Sequence, residues 1–255
     1  MRTVLLLLTA LTVAPLKLPA QASPAQSAPR AQPRDSTFRI TPLRPIEDLR
    51  RDALRQSPPP QADSLLAPDL VELVTLDSSI RLEIRYATSN NFMGAPMYSS
   101  ARAFMQRPAA QAVARASRRL HEIGYGLLVH DAYRPWYVTW MFWEATEPQY
   151  HSFVANPARG SKHNRGCAVD LTLYRLDTGL PAEMPSTYDE FTERAHPDYA
   201  GGTAAQRERR ELLRHTMEAE GFTVDPGEWW HYDYRDWAKY PVLNATFEQL
   251  TAPRH

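Results

Sequence analysis

The chain has a single cysteine, Cys167, in 255 residues, so no intrachain disulfide can form and the fold must rest on packing, hydrogen bonds and any bound ion. It also has no excess of either charge, since Lys plus Arg and Asp plus Glu both number 29. A neutral chain releases few counterions from a polyanion and generates little field toward an acidic bilayer, so neither nucleic acid nor a membrane surface is an expected partner. Phosphate-cradling glycine loops, a dinucleotide fingerprint and the Gly-x-Ser-x-Gly elbow of serine hydrolases are all missing. His121-Glu122 opens like a zinc-protease HExxH helix, but Tyr125 stands where the second histidine is required and Gly124 would break the helix. Cys167 heads an apolar strand-like run and reads as a small buried residue rather than a nucleophile.

No apolar run is long enough to span a bilayer. Thr3 to Leu16 is apolar, but Pro15, Lys17 and Pro19 interrupt it before the ~20 residues that a spanning helix needs. With Arg2 ahead of it and the small-x-small step Ala20-Gln21-Ala22 behind it, the segment 1–22 reads as a cleaved signal peptide. An exported, periplasmic protein without stable membrane insertion is therefore expected. Residues 23–69 are rich in Pro, Ala, Gln, Ser and Arg, a composition expected to give a disordered or loosely packed arm.

Residues 70–255 carry the patterned sequence. Val71, Leu73 and Leu76, then Ile80, Leu82 and Ile84, alternate as short strands do. Pro108 opens a segment in which Ala109, Ala112, Val113, Ala116, Leu120 and Ile123 recur at helical spacing up to Gly124. Leu127 to Val129 predicts a buried strand, and Pro135 starts an aromatic helix over 136–143. Cys167 to Tyr174 is the best strand, with Val169, Leu171 and Leu173 on one face and Ala168, Asp170, Thr172 and Tyr174 on the other. A surface helix over 204–220 ends at Gly221. Helices and strands mix without regular alternation, which predicts an α+β fold: one domain with a largely antiparallel central sheet flanked by helices.

Two segments carry the titratable residues of interest. Ser161-Lys162-His163-Asn164-Arg165-Gly166 is a polar turn feeding the strand of Asp170, so a turn ligand and a strand ligand can converge. Gly227-Glu228-Trp229-Trp230-His231 sets Glu228 and His231 three apart, near enough to meet on a helical turn, beside an apolar wall of two tryptophans. His163, Asp170 and His231 would make a three-ligand zinc site in a cleft on the sheet, with Glu228 as the base for a bound water. The competing reading is a buried Asp170 bonded to backbone amides and a core His231 pinned by Glu228. Arg134, in Asp131-Ala132-Tyr133-Arg134-Pro135, could aim its fork of donors at an oxyanion, or simply pair with Asp131 or Glu144.

The pattern Ser161-x-His163-x-x-Gly166-x-Ala168-x-Asp170, followed by Glu228-Trp229-Trp230-His231, resembles the zinc peptidases that include VanX-type D-Ala-D-Ala dipeptidases and D-alanyl-D-alanine carboxypeptidases. Tyr125-Gly126-Leu127-Leu128, Arg85-Tyr86-Ala87-Thr88 with Asn91-Phe92, and the run from Asp170 to Gly179 look like the VanX type in particular. The resemblance extends from about Leu70 to Tyr240. It implies one zinc ion on His163, Asp170 and His231, Glu228 as general base, and Arg134 stabilising the tetrahedral intermediate. By the same match, Tyr86, Ser161 and Asp189 line the pocket and help to hold the free amino end of a small dipeptide. A D,D-carboxypeptidase acting on peptidoglycan peptides and a non-catalytic zinc-binding module are the alternatives.

Overall fold

Pro108 sits in the first turn of a helix over Arg107–His121, where its missing N–H costs no hydrogen bond and its φ suits the helix. Behind it Ala109, Ala112, Val113, Ala116 and Leu120 are buried, as their spacing predicts; Ile123 falls past the helix end and is exposed. The computed structural model describes residues 38–251. The expected signal peptide at 1–22, the arm up to residue 37 and residues 252–255 lie outside the described residues.

The elements run α1 (Ile46–Ala53), β1 (Leu70–Glu72), α2 (Leu73–Leu76), β2 (Arg81–Leu82), β3 (Phe104–Gln106), α3 (Arg107–His121), β4 (Tyr125–Asp131) and α4 (Trp136–Ala145). Then come β5 (Ala168–Arg175), α5 (Ala204–Ala219), β6 (Phe222–Asp225), β7 (Glu228–Tyr234) and α6 (Phe247–Thr251). The main sheet has the order β2-β4-β5-β7-β6, antiparallel except for the parallel pair β2 and β4, and β1 pairs with β3 in a small second sheet. This is the expected α+β domain with a largely antiparallel sheet. Among the described residues no helix is long and apolar enough to cross a membrane.

Three local expectations need correction. The stretch 70–84 is not two plain strands, because Leu73–Leu76 forms one helical turn between β1 and β2. Within residues 38–69, expected as part of a disordered or loosely packed arm, the stretch 38–53 packs on the domain, while most of 54–66 is exposed. Leu49 and Ala53 of α1 are buried against α4, and the backbone N–H groups of Ile40 and Leu43 donate to the carbonyls of Phe92 and Ala145, both at 2.9 Å. The physical reason lies in α4: a helix apolar around most of its circumference needs cover on both sides, and α1 supplies the outer one. Finally, Glu228 and His231 lie on a strand, not on a helical turn.

Residues three apart on a regular strand point to opposite faces. Here the ladder with β6 jumps from Asp225↔Glu228 to Val224↔Tyr232, and this irregularity twists β7 enough to bring Glu228 and His231 to one side. A second irregularity, at His130, shifts the β4–β5 register so that Asp131 stands opposite Asp170. Both distortions lie beside the candidate site.

Candidate metal centre

The turn ahead of β5 presents His163. A single helical turn over His163–Arg165 closes on Gly166, which takes the left-handed conformation at φ 66° and ψ 26°. The turn is tied down on both sides. Gln106 donates its backbone N–H to the Gly166 carbonyl (2.8 Å) and its side-chain amide to the Arg165 carbonyl (2.9 Å). Asn164 donates to the Arg134 carbonyl (2.9 Å) and to Thr139 Oγ1 (2.8 Å), while its Oδ1 accepts the Ser161 N–H at 2.7 Å. The imidazole orientation is set by its far nitrogen, His163 Nδ1, which lies 2.7 Å from the Ala132 carbonyl; a proton on Nδ1 leaves Nε2 as the free electron pair facing the cavity.

β5 and β7 supply the other two groups as direct register partners, Asp170↔His231. His163 Nε2 lies 3.3 Å from Asp170 Oδ1 and 3.1 Å from His231 Nδ1, and His231 Nδ1 lies 3.0 Å from Asp170 Oδ1. Asp170 Oδ1 is buried without an aligned hydrogen bond, although Asp170 Oδ2 accepts from Tyr188 Oη at 2.9 Å. His231 Nε2 meets Asp233 Oδ1 at 3.0 Å, and Asp233 is paired in turn with Lys162. Two imidazole nitrogens and an orphaned carboxylate oxygen thus crowd one point that no protein donor fills. That donor set fits a metal ion, and the three residues can hold one.

The electrostatics of the group agree. Burial acts to raise Asp170, but the imidazoles of His163 and His231 outweigh it and hold the carboxyl well below its usual range. Burial acts to lower His231, but its contacts with Asp170 and Asp233 push it well above the ordinary imidazole value.

Around that point sit the other expected residues. Glu228 Oε2 is 3.6 Å from His231 Nδ1; burial pushes Glu228 up to about 8, with Asp170, Asp225 and Asp189 adding and His231 opposing. Arg134 is almost fully buried and grips Asp131 Oδ2 through Nε (3.0 Å) and Nη2 (2.8 Å), so the ion pair weighed from the sequence does form, with Asp131 rather than Glu144. The same guanidinium is 4.0 Å from Asp170 and stacks near the rings of Tyr86 and Phe142. Tyr86 Oη donates to the Asp189 carboxylate at 3.0 Å, and burial, with Asp170 adding, pushes Asp189 up to about 8. Ser161 Oγ accepts the His163 N–H at 3.2 Å. All eight residues singled out from the sequence line one cavity of about 340 Å³.

The family of D-Ala-D-Ala dipeptidases in peptidase group M15 matches this chain over residues 67–252. The chain belongs to this family. Among its relatives, a D-alanyl-D-alanine dipeptidase of Escherichia coli K12 is 34% identical over 186 residues, covering 72% of this chain and 94% of the relative. Another, from Enterococcus faecium, is 36% identical over 187 residues, covering 66% of this chain and 91% of its own length. A third, from Streptomyces coelicolor, is 34% identical over 179 residues, covering 63% and 89%. This member of the M15 family is accordingly a peptidase whose relatives act on a dipeptide.

Several supporting residues escaped the sequence. Tyr188, bonded to Asp170, and Asp233, bonded to His231, orient the candidate ligands, while Tyr98 Oη donates to Asp131 Oδ1 at 2.7 Å and steadies the partner of Arg134. Only Asp233 carried a local signal, two residues beyond His231 on the same strand. Trp229 and Trp230, read as an apolar wall of the site, are instead buried in the core, with Tyr188 standing against Trp230 at 5.5 Å. Cys167 is buried as expected, and burial pushes its thiol up to about 12.

Proposed function

We propose that this chain hydrolyses D-alanyl-D-alanine to two molecules of D-alanine, using one zinc ion held by His163, Asp170 and His231, with Glu228 as general base and Arg134 as oxyanion donor. The observation that carries the reading is the convergence of three ligand atoms within 3.3 Å of one another, with Glu228 3.6 Å from the nearest, in one cavity of an M15 chain. Two imidazoles and one carboxylate are a donor set suited to zinc with a position left open. Bound there, zinc would polarise the scissile carbonyl and lower the pKa of a water to about 7.

Glu228 accepts the proton of the attacking water and passes it to the departing amine. Its partial burial among other carboxylates makes it a good proton holder once it has accepted one. Arg134 keeps Nε and Nη2 on Asp131, and Nη1 has no hydrogen-bond partner among the described residues; that donor meets the carbonyl oxygen as negative charge develops. Because the Asp131 fork fixes the guanidinium beforehand, little reorganisation is needed at the moment of reaction. Asp189 and Tyr86 take the substrate ammonium, whose charge favours ionised Asp189, and Ser161 borders the same pocket from the metal turn. The leader-like segment 1–22 supports export to the periplasm, where dipeptides released from wall peptides are the natural supply.

The test is to incubate the purified protein with D-Ala-D-Ala and with an N-acylated tripeptide ending in the same pair, and to assay released D-alanine before and after chelation and zinc addition. Cleavage of the free dipeptide, lost on chelation and restored by zinc, is expected. Cleavage of only the acylated peptide would replace this reading with a D,D-carboxypeptidase.

A further inference from the structure

We infer that the segment Phe38 to Leu43 is a strap that shuts the amino-terminal side of the pocket and so restricts the enzyme to substrates with a free amino group. The inference rests on the dipeptidase reading above and adds to it a specificity-determining element. The strap lies before residue 67, where the family match begins, so it is not part of the region shared with the family model.

The argument starts at Asp189 and Tyr86. Both line the cavity and are joined by a hydrogen bond, and Asp189 is held at φ 58°, the only described non-glycine residue in the left-handed region, so its loop needs outside support. From Tyr86 a continuous chain of rings leads outward: Phe142 at 4.8 Å, then Phe92 at 4.9 Å, then Phe191 at 5.4 Å. Phe191 is two residues past Asp189 on the same loop and is sandwiched from two sides. Phe153 stacks on it at 4.7 Å with the planes 5° apart, and Phe38 of the strap packs on it at 4.8 Å. Phe92, Phe142, Phe153 and Phe191 all face the cavity; Phe38 does not, and acts from behind.

The strap is itself fixed to the other wall. Ile40 donates its N–H to the Phe92 carbonyl at 2.9 Å, Arg39 donates to the Ser89 carbonyl at 3.2 Å, and Leu43 donates to the Ala145 carbonyl at 2.9 Å. It therefore joins the loop carrying Phe92 to the loop carrying Asp189 and Phe191. An apolar wall held this way offers no hydrogen-bonding replacement for the water that an entering acylated chain would shed, whereas a bare ammonium stops at Asp189. Phe38 is a positioning residue: it touches the wall and not the substrate.

The experiment uses the full chain with Phe38→Ala and Phe38→Leu, and measures kcat and KM on D-Ala-D-Ala and on N-acetyl-D-Ala-D-Ala, with a thermal melt of each variant. Phe38→Ala is expected to raise KM for the free dipeptide several-fold with kcat little changed, and to move the ratio of kcat/KM between free and acetylated substrates toward the acetylated one by about tenfold or more, the scale on which pocket fit discriminates. Phe38→Leu keeps apolar bulk against Phe191 and should return most of that ratio. A merely structural role would lower the melting temperature and leave the ratio alone. An active wild type whose ratio is unmoved by Phe38→Ala, or which already cleaves the acetylated dipeptide as well as the free one, overturns the strap alone. A wild type inactive on both substrates overturns the dipeptidase reading and this one with it.

Discussion

Gly166→Ala tests how tightly the backbone specifies the metal turn. Gly166 has φ 66°, and a Cβ built there would lie 2.4 Å from Leu70 Cδ2 and 3.3 Å from the Gln106 backbone nitrogen. Alanine in the left-handed region costs about 1–2 kcal/mol, and forcing a methyl into a filled space adds about 1–3 kcal/mol. The sum is about 2–5 kcal/mol, which for a domain of this size lowers Tm by roughly 4–20 °C. Gly124 provides the control. It has φ 85° with nothing within 4 Å of a Cβ, so Gly124→Ala should show the conformational cost by itself. Urea unfolding of both variants, and of Gly166→Ala combined with Leu70→Ala, separates strain from collision: shortening Leu70 should recover about 1–3 kcal/mol as a coupling between adjacent sites. Because His163 is three residues before Gly166 and shares its hydrogen bonds, zinc content and turnover should fall with stability in Gly166→Ala and stay near wild type in Gly124→Ala. If Gly166→Ala is no less stable than Gly124→Ala, the packing argument is wrong.

Glu228→Ala should retain zinc, measured by metal analysis, and lose turnover by about 100-fold or more, as removal of a general base does; loss of metal instead would make Glu228 a ligand. His163→Ala should lose zinc and activity together. Arg134→Lys keeps a charge but cannot reproduce the two-pronged grip on Asp131, so kcat should drop by about 100-fold with smaller change in KM, and wild-type turnover would refute the oxyanion role. Burial, with Arg85 adding, lowers His130 to about 3 from 6.5, so the folded protein holds it neutral while the unfolded chain takes a proton below pH 6.5. Its contribution to stability is complete above that pH and is lost on acidification at up to about 1.4 kcal/mol per pH unit until the folded value is reached. Urea unfolding at several pH values should therefore give a shallower acid profile for His130→Gln than for wild type; parallel profiles would contradict the burial argument.

The helices α3, α4 and α5 and the strands β4 and β5 were legible from local signals of different kinds: Pro108 and Gly124 bracket α3, Pro135 opens the aromatic run of α4, Gly221 follows α5, and the apolar residues of α3 and β5 recur at the period of their own element. The candidate ligands were legible because a motif of fixed short spacing places His163 on a turn and Asp170 on the strand it feeds. Residues 46–53 were hidden in a Pro-rich stretch, since the reason for their helix is the exposed flank of α4, some 90 residues further along the chain. The strand character of Glu228–Tyr234 was equally hidden, since the irregular pairing with β6 that turns Glu228 and His231 to one side depends on a partner strand.

What the sequence determined by itself was the inventory: the residue types that could hold a metal, accept a proton and steady an oxyanion. What only the tertiary structure decided was their meeting. Asp170 and His231 become neighbours through strand register, Arg134 is fixed by an Asp131 that an irregularity in β4 turns toward it, and Tyr188 and Asp233 orient the ligands by hydrogen bonds. Local pattern is governed by steric and hydrophobic preferences over a few residues, whereas these contacts, that of Asp233 with His231 apart, join groups brought together only when the core closes, and no short-range signal encodes them.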